Sequence, residues 1–567
     1  MSSPPPSHTV DLLIVGAGTG MAAALAANEL GLSTLIVEKS EYVGGSTARS
    51  GGAFWIPGNP VLTREQPEDT TEVAAAYLRS VVGDTAPPER GTAFLDHGSA
   101  TVAMLSRTTP MKFMWAPGYS DYHPELPGGS AVGRTCECKP FDAAQLGSER
   151  PRLRPGLMEA PLPMPITGAD YKWLNLLMRV PRKALWRVAK ALTIGLGGLA
   201  LKKEYVAGGQ ALAAGLFAGI VNAGIPVWTD SSLMRLVTDG EGLVTGAVVR
   251  RNGAETVVKA RRGVVLAAGG FDHDMEMRRK FQSERLIDGV SLGATTNTGD
   301  AIKIGQELGA GVASMEQSWW FPAVAGVSGH SPSVLLAERS LPGSFIIDAS
   351  GRRFINEAVD YMSFGQRVLE REHAGDPVGE MWLVFDQKYR NSYVMAGGLF
   401  PRQPLPQEWY DEGIAVAANN PCDLAVRMGV DESRFVNAFN SFNAAADVGV
   451  DHAFGRGASA YDRYYGDPTV TPNPNLLALH RDSLYAVRVV LSDLGTCGGL
   501  RADGRARVLR EDGSVIEGLY AIGNSAANAF GATYPGAGAT IGQGLVYGYI
   551  AANAAAGRLP EFKQSAR

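Results

Sequence analysis

The sequence predicts an α/β protein: a Rossmann-type domain assembled from both chain ends, with an α+β domain inserted between its parts as a cap. Three observations carry this reading. Near the start, an apolar run from Val10 to Val15 enters a glycine turn and then a helical stretch. In mid-chain, Gly263 to Gly270 has the pattern of a buried parallel strand ending in small residues. Near the end, Gly518 to Asn524 reads as a further strand, followed by a second glycine turn and an apolar helix. At 567 residues the chain exceeds one compact core. The expected division is residues 1–317 and 495–567 for the Rossmann-type domain and 318–494 for the insert.

The first turn is Gly16-Ala17-Gly18-Thr19-Gly20, followed by a helix from Met21 to Leu30 and a strand from Ser33 to Val37 that ends at Glu38. Gly16, Gly18 and Gly20 let the backbone turn tightly and approach a pyrophosphate, which the helix N-terminus faces with free N–H groups. The strict spacing places its third glycine at Met21, so Gly20 comes one residue early. Glu38, about 20 residues on, is placed to accept ribose hydroxyls. A second small-residue loop follows, beginning at Lys39 and including Gly44-Gly45-Ser46-Thr47-Ala48-Arg49-Ser50-Gly51-Gly52. Simple NAD folds have no such loop. It extends the pyrophosphate site under an isoalloxazine ring, which makes the domain an FAD-binding one. The loop holds no histidine for a covalent bond, so non-covalent FAD is expected. The candidate contacts here are Lys39, Gly45, Ser46, Thr47, Ser50, Gly51 and Gly52.

Later segments complete the expected site. Ala268 and Gly269 end the mid-chain strand, and Asp300 opens a helix expected over Ala301 to Leu308. Gly523 and Asn524 end the late strand. Tyr534-Pro535-Gly536-Ala537-Gly538-Ala539-Thr540-Ile541-Gly542 leads into a helix from Gln543 to Ala555. There Ala539 and Ile541 are candidates to meet the flavin pyrimidine edge.

Composition narrows the class. A net charge of −5 argues against nucleic-acid binding, and no nucleic-acid partner is expected. Cys136-Glu137-Cys138 lacks the spacing of a zinc or redox pair, so no metal is expected. Met1 to Pro6 has neither the basic nor the apolar region of a signal peptide, and a cytoplasmic protein is expected.

The stretch Gly44 to Gly52, the Tyr361 segment, Leu491-Ser492-Asp493-Leu494-Gly495-Thr496 and Tyr534-Pro535-Gly536-Ala537-Gly538 together resemble 3-ketosteroid Δ1-dehydrogenases, in the fumarate reductase and succinate dehydrogenase flavoprotein superfamily. The resemblance spans Val10 to about Ala555. It implies three tyrosines and a glycine N–H around a steroid A ring. By motif these are Tyr361, Tyr534, Gly538 and Tyr122, with Tyr119 a competitor for the last because this loop lacks the usual second tyrosine. Met362 stands where the family has aspartate. The implied reaction is 1,2-desaturation of a 3-keto-4-ene steroid. Tyr361 takes the C2 proton with help from Tyr122, flavin N5 accepts the C1 hydride, and Tyr534 and Gly538 stabilise the C3 enolate. A quinone or other external acceptor reoxidises the flavin.

Three rivals remain at this stage. A fumarate-type ene reductase needs arginine and histidine around a dicarboxylate, whereas the eight histidines are scattered outside these motifs. A Δ4-(5α)-3-ketosteroid dehydrogenase lacks the Tyr-Pro-Gly-x-Gly run. A non-catalytic flavin or sterol carrier is the third. Trp319, Trp320 and Phe321 either line an apolar pocket or pack the domain boundary.

Residues 171–203 hold eight Lys and Arg and no acid, interleaved with Trp173, Trp186 and many leucines. Pro181 is expected to split them into two short helices. Such a segment either lies in a membrane interface, giving peripheral attachment to the inner face of the cytoplasmic membrane, or packs on the flavin domain with a solvated basic side.

Overall fold

The computed structural model describes residues 7–66, 68–157 and 164–559; the Met1 to Pro6 stretch lies outside them. A six-stranded sheet has the spatial order Arg507–Leu509, Val515–Ala521, Val264–Leu266, Leu12–Val15, Thr34–Val37, Val227–Trp228. All neighbours are parallel except the first pair. Its strands therefore come from the beginning, middle and end of the sequence. Leu12–Val15 is buried at every position, as a central parallel strand covered on both faces must be.

The apolar run near the start is not one strand. Ser7–Val10 pairs with Ala254–Ala260 in a separate four-stranded sheet, and Leu12–Val15 joins the parallel sheet. Asp11 makes the break: its carboxylate accepts the Ser33 N–H at 2.9 Å and the Ser33 hydroxyl at 2.7 Å. A residue whose side chain satisfies a neighbouring backbone group ends a strand register.

The helix after the first turn runs Gly20–Glu29 and packs on the C-terminal helix Ala539–Ala555. Gly20 does the work expected of the third glycine one residue later. A Cβ there would sit 3.0 Å from both Ala267 Cβ and Ile14 Cγ2, so its absence lets the helix close on the sheet. The C-terminal helix begins at Ala539, four residues before the expected Gln543, because Gly538 at φ +89° serves as its N-cap.

A second six-stranded sheet is antiparallel throughout. Its main order is Ser333–Val334, Ser318–Val324, Leu484–Thr496, Met381–Asp386, Ser344–Ile347, with Ala415–Ala418 also pairing to Leu484–Thr496. The helix Tyr361–His373 lies against Ser318–Val324. A small sheet of Ala53–Trp55, Thr135–Cys138 and Phe113–Trp115 supports the loop that carries Tyr122.

The basic segment forms Gly168–Asn175 and Pro181–Ala200; the second helix has 20 residues and is not short. Pro181 sits in the first turn, where its missing N–H costs no helical hydrogen bond. The segment packs on both parts of the molecule: Tyr171 lies against the core that holds Leu12 and Ile14. Leu176 is buried with Leu335, Leu341 and Ile346 in the core of the antiparallel sheet, and Trp173 packs against the same cluster.

Candidate active site

Two sites meet in this fold. The first is a cleft at the carboxyl ends of the parallel strands, where ligands bind in such sheets. Of the expected contacts, Gly16, Gly18, Glu38, Lys39, Gly45, Ser46, Thr47, Ser50, Ala268, Gly269, Asp300, Gly523, Asn524 and Ile541 line it. Thr19, Ser231, Asn297 and Thr540 line it as well, beyond the candidate contacts. Gly20, Gly51, Gly52 and Ala539 do not. Gly52, at φ +73°, lets the chain cross Gly208, whose carbonyl carbon lies 2.1 Å from where a Cβ would be. Ala539 is buried in the first turn of its helix.

The cleft suits a dinucleotide. Gly16, at φ +109°, brings the turn so close to Ala267 that a Cβ would overlap its carbonyl oxygen at 2.2 Å. Glu38 fastens the same turn: its carboxylate accepts the N–H of Ala17 at 2.8 Å and of Ser40 at 2.9 Å. Burial raises its pKa, and these bonds pull the other way. Across the cleft, Lys39 binds Asp300 at 2.8 Å and Thr298 at 2.7 Å. Asn297 donates to Ser46 at 3.0 Å. The walls are thus joined by residues far apart in sequence, and small residues leave the floor open.

The second site is a cluster of phenols. Tyr122 donates to the Tyr361 hydroxyl at 2.5 Å. The Tyr534 ring stands 5.1 Å from Tyr122 and 5.5 Å from Tyr361, both edge-on. The Gly538 N–H points at the Tyr534 hydroxyl, 3.3 Å away. The Tyr534 oxygen is thus the acceptor of that N–H, and the two polar groups stand side by side in the cluster. Tyr119, the competitor for Tyr122, lies beside it without its bond to Tyr361: its hydroxyl accepts from Tyr465 at 3.1 Å and its ring stacks on Tyr464 at 4.5 Å. Tyr461, Tyr464 and Tyr465, which no motif marked, complete the cluster. Tyr461 lies 4.7 Å from Tyr122, edge to face.

Local rules explain how each phenol is held. Tyr361 opens its helix, capped by Asp360, which accepts the Ser363 N–H at 3.0 Å. Gly365 seats that helix, because a Cβ there would lie 2.2 Å from Trp320 Cβ. The Tyr534 turn is pressed on Ala53–Trp55: a Cβ on Gly536 or Gly538 would meet Trp55 Cδ1 at 2.4 Å or Ala53 backbone at 2.3 Å. The Pro535 carbonyl ties the loops together, accepting from the Tyr122 N–H at 3.1 Å and the Tyr77 hydroxyl at 2.6 Å. Trp319 belongs to the site, 4.7 Å from the Tyr534 ring, with its indole N–H on Asn524 at 3.1 Å. Trp320 instead packs under the Tyr361 helix, fully buried.

Burial pushes the phenols of Tyr122, Tyr361 and Tyr534 above the ordinary tyrosine range. For Tyr361 the hydrogen bond from Tyr122 works against that shift, as expected, but it is smaller than the burial effect. Deprotonation therefore needs more help than Tyr122 supplies.

A family model described as an FAD binding domain matches residues 11–541. The 3-oxosteroid 1-dehydrogenase of Mycolicibacterium smegmatis is 43% identical over 555 residues, covering 96% of both chains. The chain belongs to the 3-oxosteroid 1-dehydrogenase family. It is an FAD-dependent oxidoreductase. A crystal structure of the Sterolibacterium denitrificans 3-ketosteroid Δ1-dehydrogenase, in complex with 1,4-androstadiene-3,17-dione, superposes with a TM-score of 0.91. It is 36% identical and covers 97% of this chain and 100% of its own. The Rhodococcus jostii 3-ketosteroid Δ4-(5α)-dehydrogenase, at TM-score 0.67 and 20% identity over 98% of this chain and all of its own, shares the fold alone.

Proposed function

We propose that this member of the family removes hydrogen from C1 and C2 of 3-ketosteroids, with Tyr122, Tyr361, Tyr534 and Gly538 carrying the chemistry. The observation that supports this most is the adjacency of the Tyr534 hydroxyl and the Gly538 N–H, 3.3 Å apart, beside the Tyr122–Tyr361 pair. A ketone oxygen received by the two donors gains negative charge as the adjacent carbon loses its proton, and the donors stabilise that enolate. Tyr361 is then the group beside C2 that takes the proton, with Tyr122 holding its hydroxyl in place. Bound FAD supplies the two-electron acceptor for the hydrogen leaving C1. The aromatic rings packed around the phenols lower the local dielectric, which strengthens both interactions. Residues 318–494, read as the inserted domain, contribute Tyr361 and Tyr461 to this chamber, and an external acceptor such as a quinone takes the electrons onward.

The test is anaerobic mixing of the holoenzyme with 4-androstene-3,17-dione. Flavin bleaching with formation of the 1,4-diene is expected; bleaching without a 1,4-diene, or none, refutes the reading.

A second proposal concerns location. No helix among the described residues is long and apolar enough to cross a membrane. Pro181–Ala200 nevertheless exposes Leu185, Trp186, Leu196 and Leu199, each more than half accessible, beside exposed Arg182, Lys183 and Lys190. Apolar and cationic side chains on one helix fit peripheral attachment to an anionic lipid surface.

A further inference from the structure

The mechanism asks a buried phenol to surrender its proton, yet burial drives every phenol of the cluster the other way. A fixed cation close by resolves the conflict. Arg339 is fully buried, and no carboxylate lies within ion-pairing distance of it among the described residues. The other fully buried arginines of the molecule's core pair with acids: Arg134 with Asp121, Arg278 with Asp493 and Arg456 with Glu357. Among the described residues Arg390 shares this lack; two of its nitrogens donate to the Tyr393 and Phe400 carbonyls, and its Nε alone is without a partner.

Arg339 is only half used in that way. Its Nη1 donates to the carbonyls of Glu357 and Val359 at 2.5 Å each, clamping the chain that leads through Asp360 into Tyr361. Its Nε and Nη2 are buried without a partner. A buried guanidinium with idle donors is costly, and its retention calls for an anion that appears at some stage of function.

The clamp on the chain entering Tyr361, together with the electrostatics of its neighbours, links this charge to the phenols. Burial raises Tyr119 and Tyr461, and the Arg339 charge is among the influences drawing both back down. These two flank Tyr122 and Tyr361. From the helix Ala460–Tyr464, Asp462 opposes the cation, and from the Tyr361 cap so does Asp360, one of whose oxygens is itself unpartnered. His123 stands 3.8 Å from Asp360 and shields it only when protonated. Glu338, beside Arg339 in sequence, is pushed up to about 7 by burial, and Glu137, which faces Tyr119, likewise to about 7.

We propose that Arg339 is a positioning residue that clamps the entry to Tyr361 and whose charge stabilises the negative charge the tyrosine cluster carries during proton abstraction. The inference rests on the reading of Tyr361 as the base. It is tested by stopped-flow reduction of the holoenzyme's flavin with 4-androstene-3,17-dione, from neutral to strongly alkaline pH. In Arg339→Met the midpoint of the rate profile should move alkaline by about one unit, a roughly tenfold loss at neutral pH that recovers at high pH. Arg339→Lys keeps the charge but not the clamp, and its midpoint should stay near the parent's. Asp462→Asn removes an opposing charge and should move the midpoint toward acid, which decides the matter should the methionine variant fail to hold FAD. An unmoved midpoint in either Arg339→Met or Asp462→Asn overturns the proposal, as does an equal shift in the lysine variant. The underlying reading fails separately: a Tyr361→Phe enzyme that still exchanges C2 hydrogen with solvent has another base.

Discussion

Under the proposed function two of the phenols do different work through the same functional group. In the proposed reaction Tyr534, whose oxygen accepts the Gly538 N–H here, donates to the substrate oxygen, so its value lies in charge developed only during reaction. Tyr534→Phe is expected to leave the flavin spectrum intact and slow flavin reduction by at least about a hundredfold, or ~3 kcal/mol. Rapid-reaction absorbance at the flavin band measures this, and near-normal reduction removes Tyr534 from the chemistry. Tyr122 acts on Tyr361 instead. Its hydrogen bond is one of the influences lowering the Tyr361 phenol, so removing it raises that group further. The rate depends on the deprotonated base, hence the profile of a Tyr122→Phe enzyme should lie on the alkaline side of the parent's, converging with it at high pH. A midpoint displaced toward acid contradicts the assignment.

At the scale of elements, the glycines decide how closely the pieces approach. Gly365 lets the Tyr361 helix sit on Trp320 with no room for a methyl group. Gly365→Ala should lower the melting temperature by about 1–3 degrees, a cost of roughly 1–3 kcal/mol for overpacking, and reduce kcat more than it changes KM. Calorimetry with steady-state kinetics checks both; an unchanged melting temperature shows that the helix is free to shift. The same glycines explain what the sequence made legible. Gly16, Gly18 and Gly20 announce a turn because the steric demand and the residues that meet it are neighbours in the chain. The early third glycine stayed ambiguous until Ala267 and Ile14 were seen opposite it. Tyr461 and Tyr465 were hidden for the opposite reason: their short segment carries no spacing pattern, and only the meeting of three distant loops places them beside Tyr122. Arg339 gave still less sign, since an arginine in a loop reads as a surface charge until its burial is known. Asp11 broke an apolar run through a partner 22 residues away, beyond the reach of strand periodicity.

At the scale of the whole molecule, the basic segment links the surface to the chamber. Lys172 places its ammonium 4.2 Å from the ring centre of Tyr464, which stacks on Tyr119, so one helix of the pair abuts the phenol cluster. Not all of the charge on the segment is free for lipid. Arg187 pairs with Asp170 at 2.5 Å and Arg179 with Asp467 at 2.6 Å, while Lys172 and Lys183 both lie against the half-buried Trp173. Arg182, Lys190, Lys202 and Lys203 remain exposed without ion pairs among the described residues, and Trp186 is the most exposed aromatic of the segment at 68%. A steroid and a quinone both partition into lipid, so an enzyme resting there meets both at high local concentration. The attraction of a few lysines to anionic headgroups is worth about 1 kcal/mol each and is screened by salt, whereas the apolar side chains hold on regardless. Flotation with vesicles containing anionic lipid at low salt should therefore recover the protein with the lipid, less so as salt rises. A variant with Leu185, Trp186, Leu196 and Leu199 replaced by serine should stay in the aqueous fraction while turning over detergent-dispersed steroid at the parent's rate. Equal recovery of parent and variant in the aqueous fraction assigns the exposed face of Pro181–Ala200 to something other than a membrane.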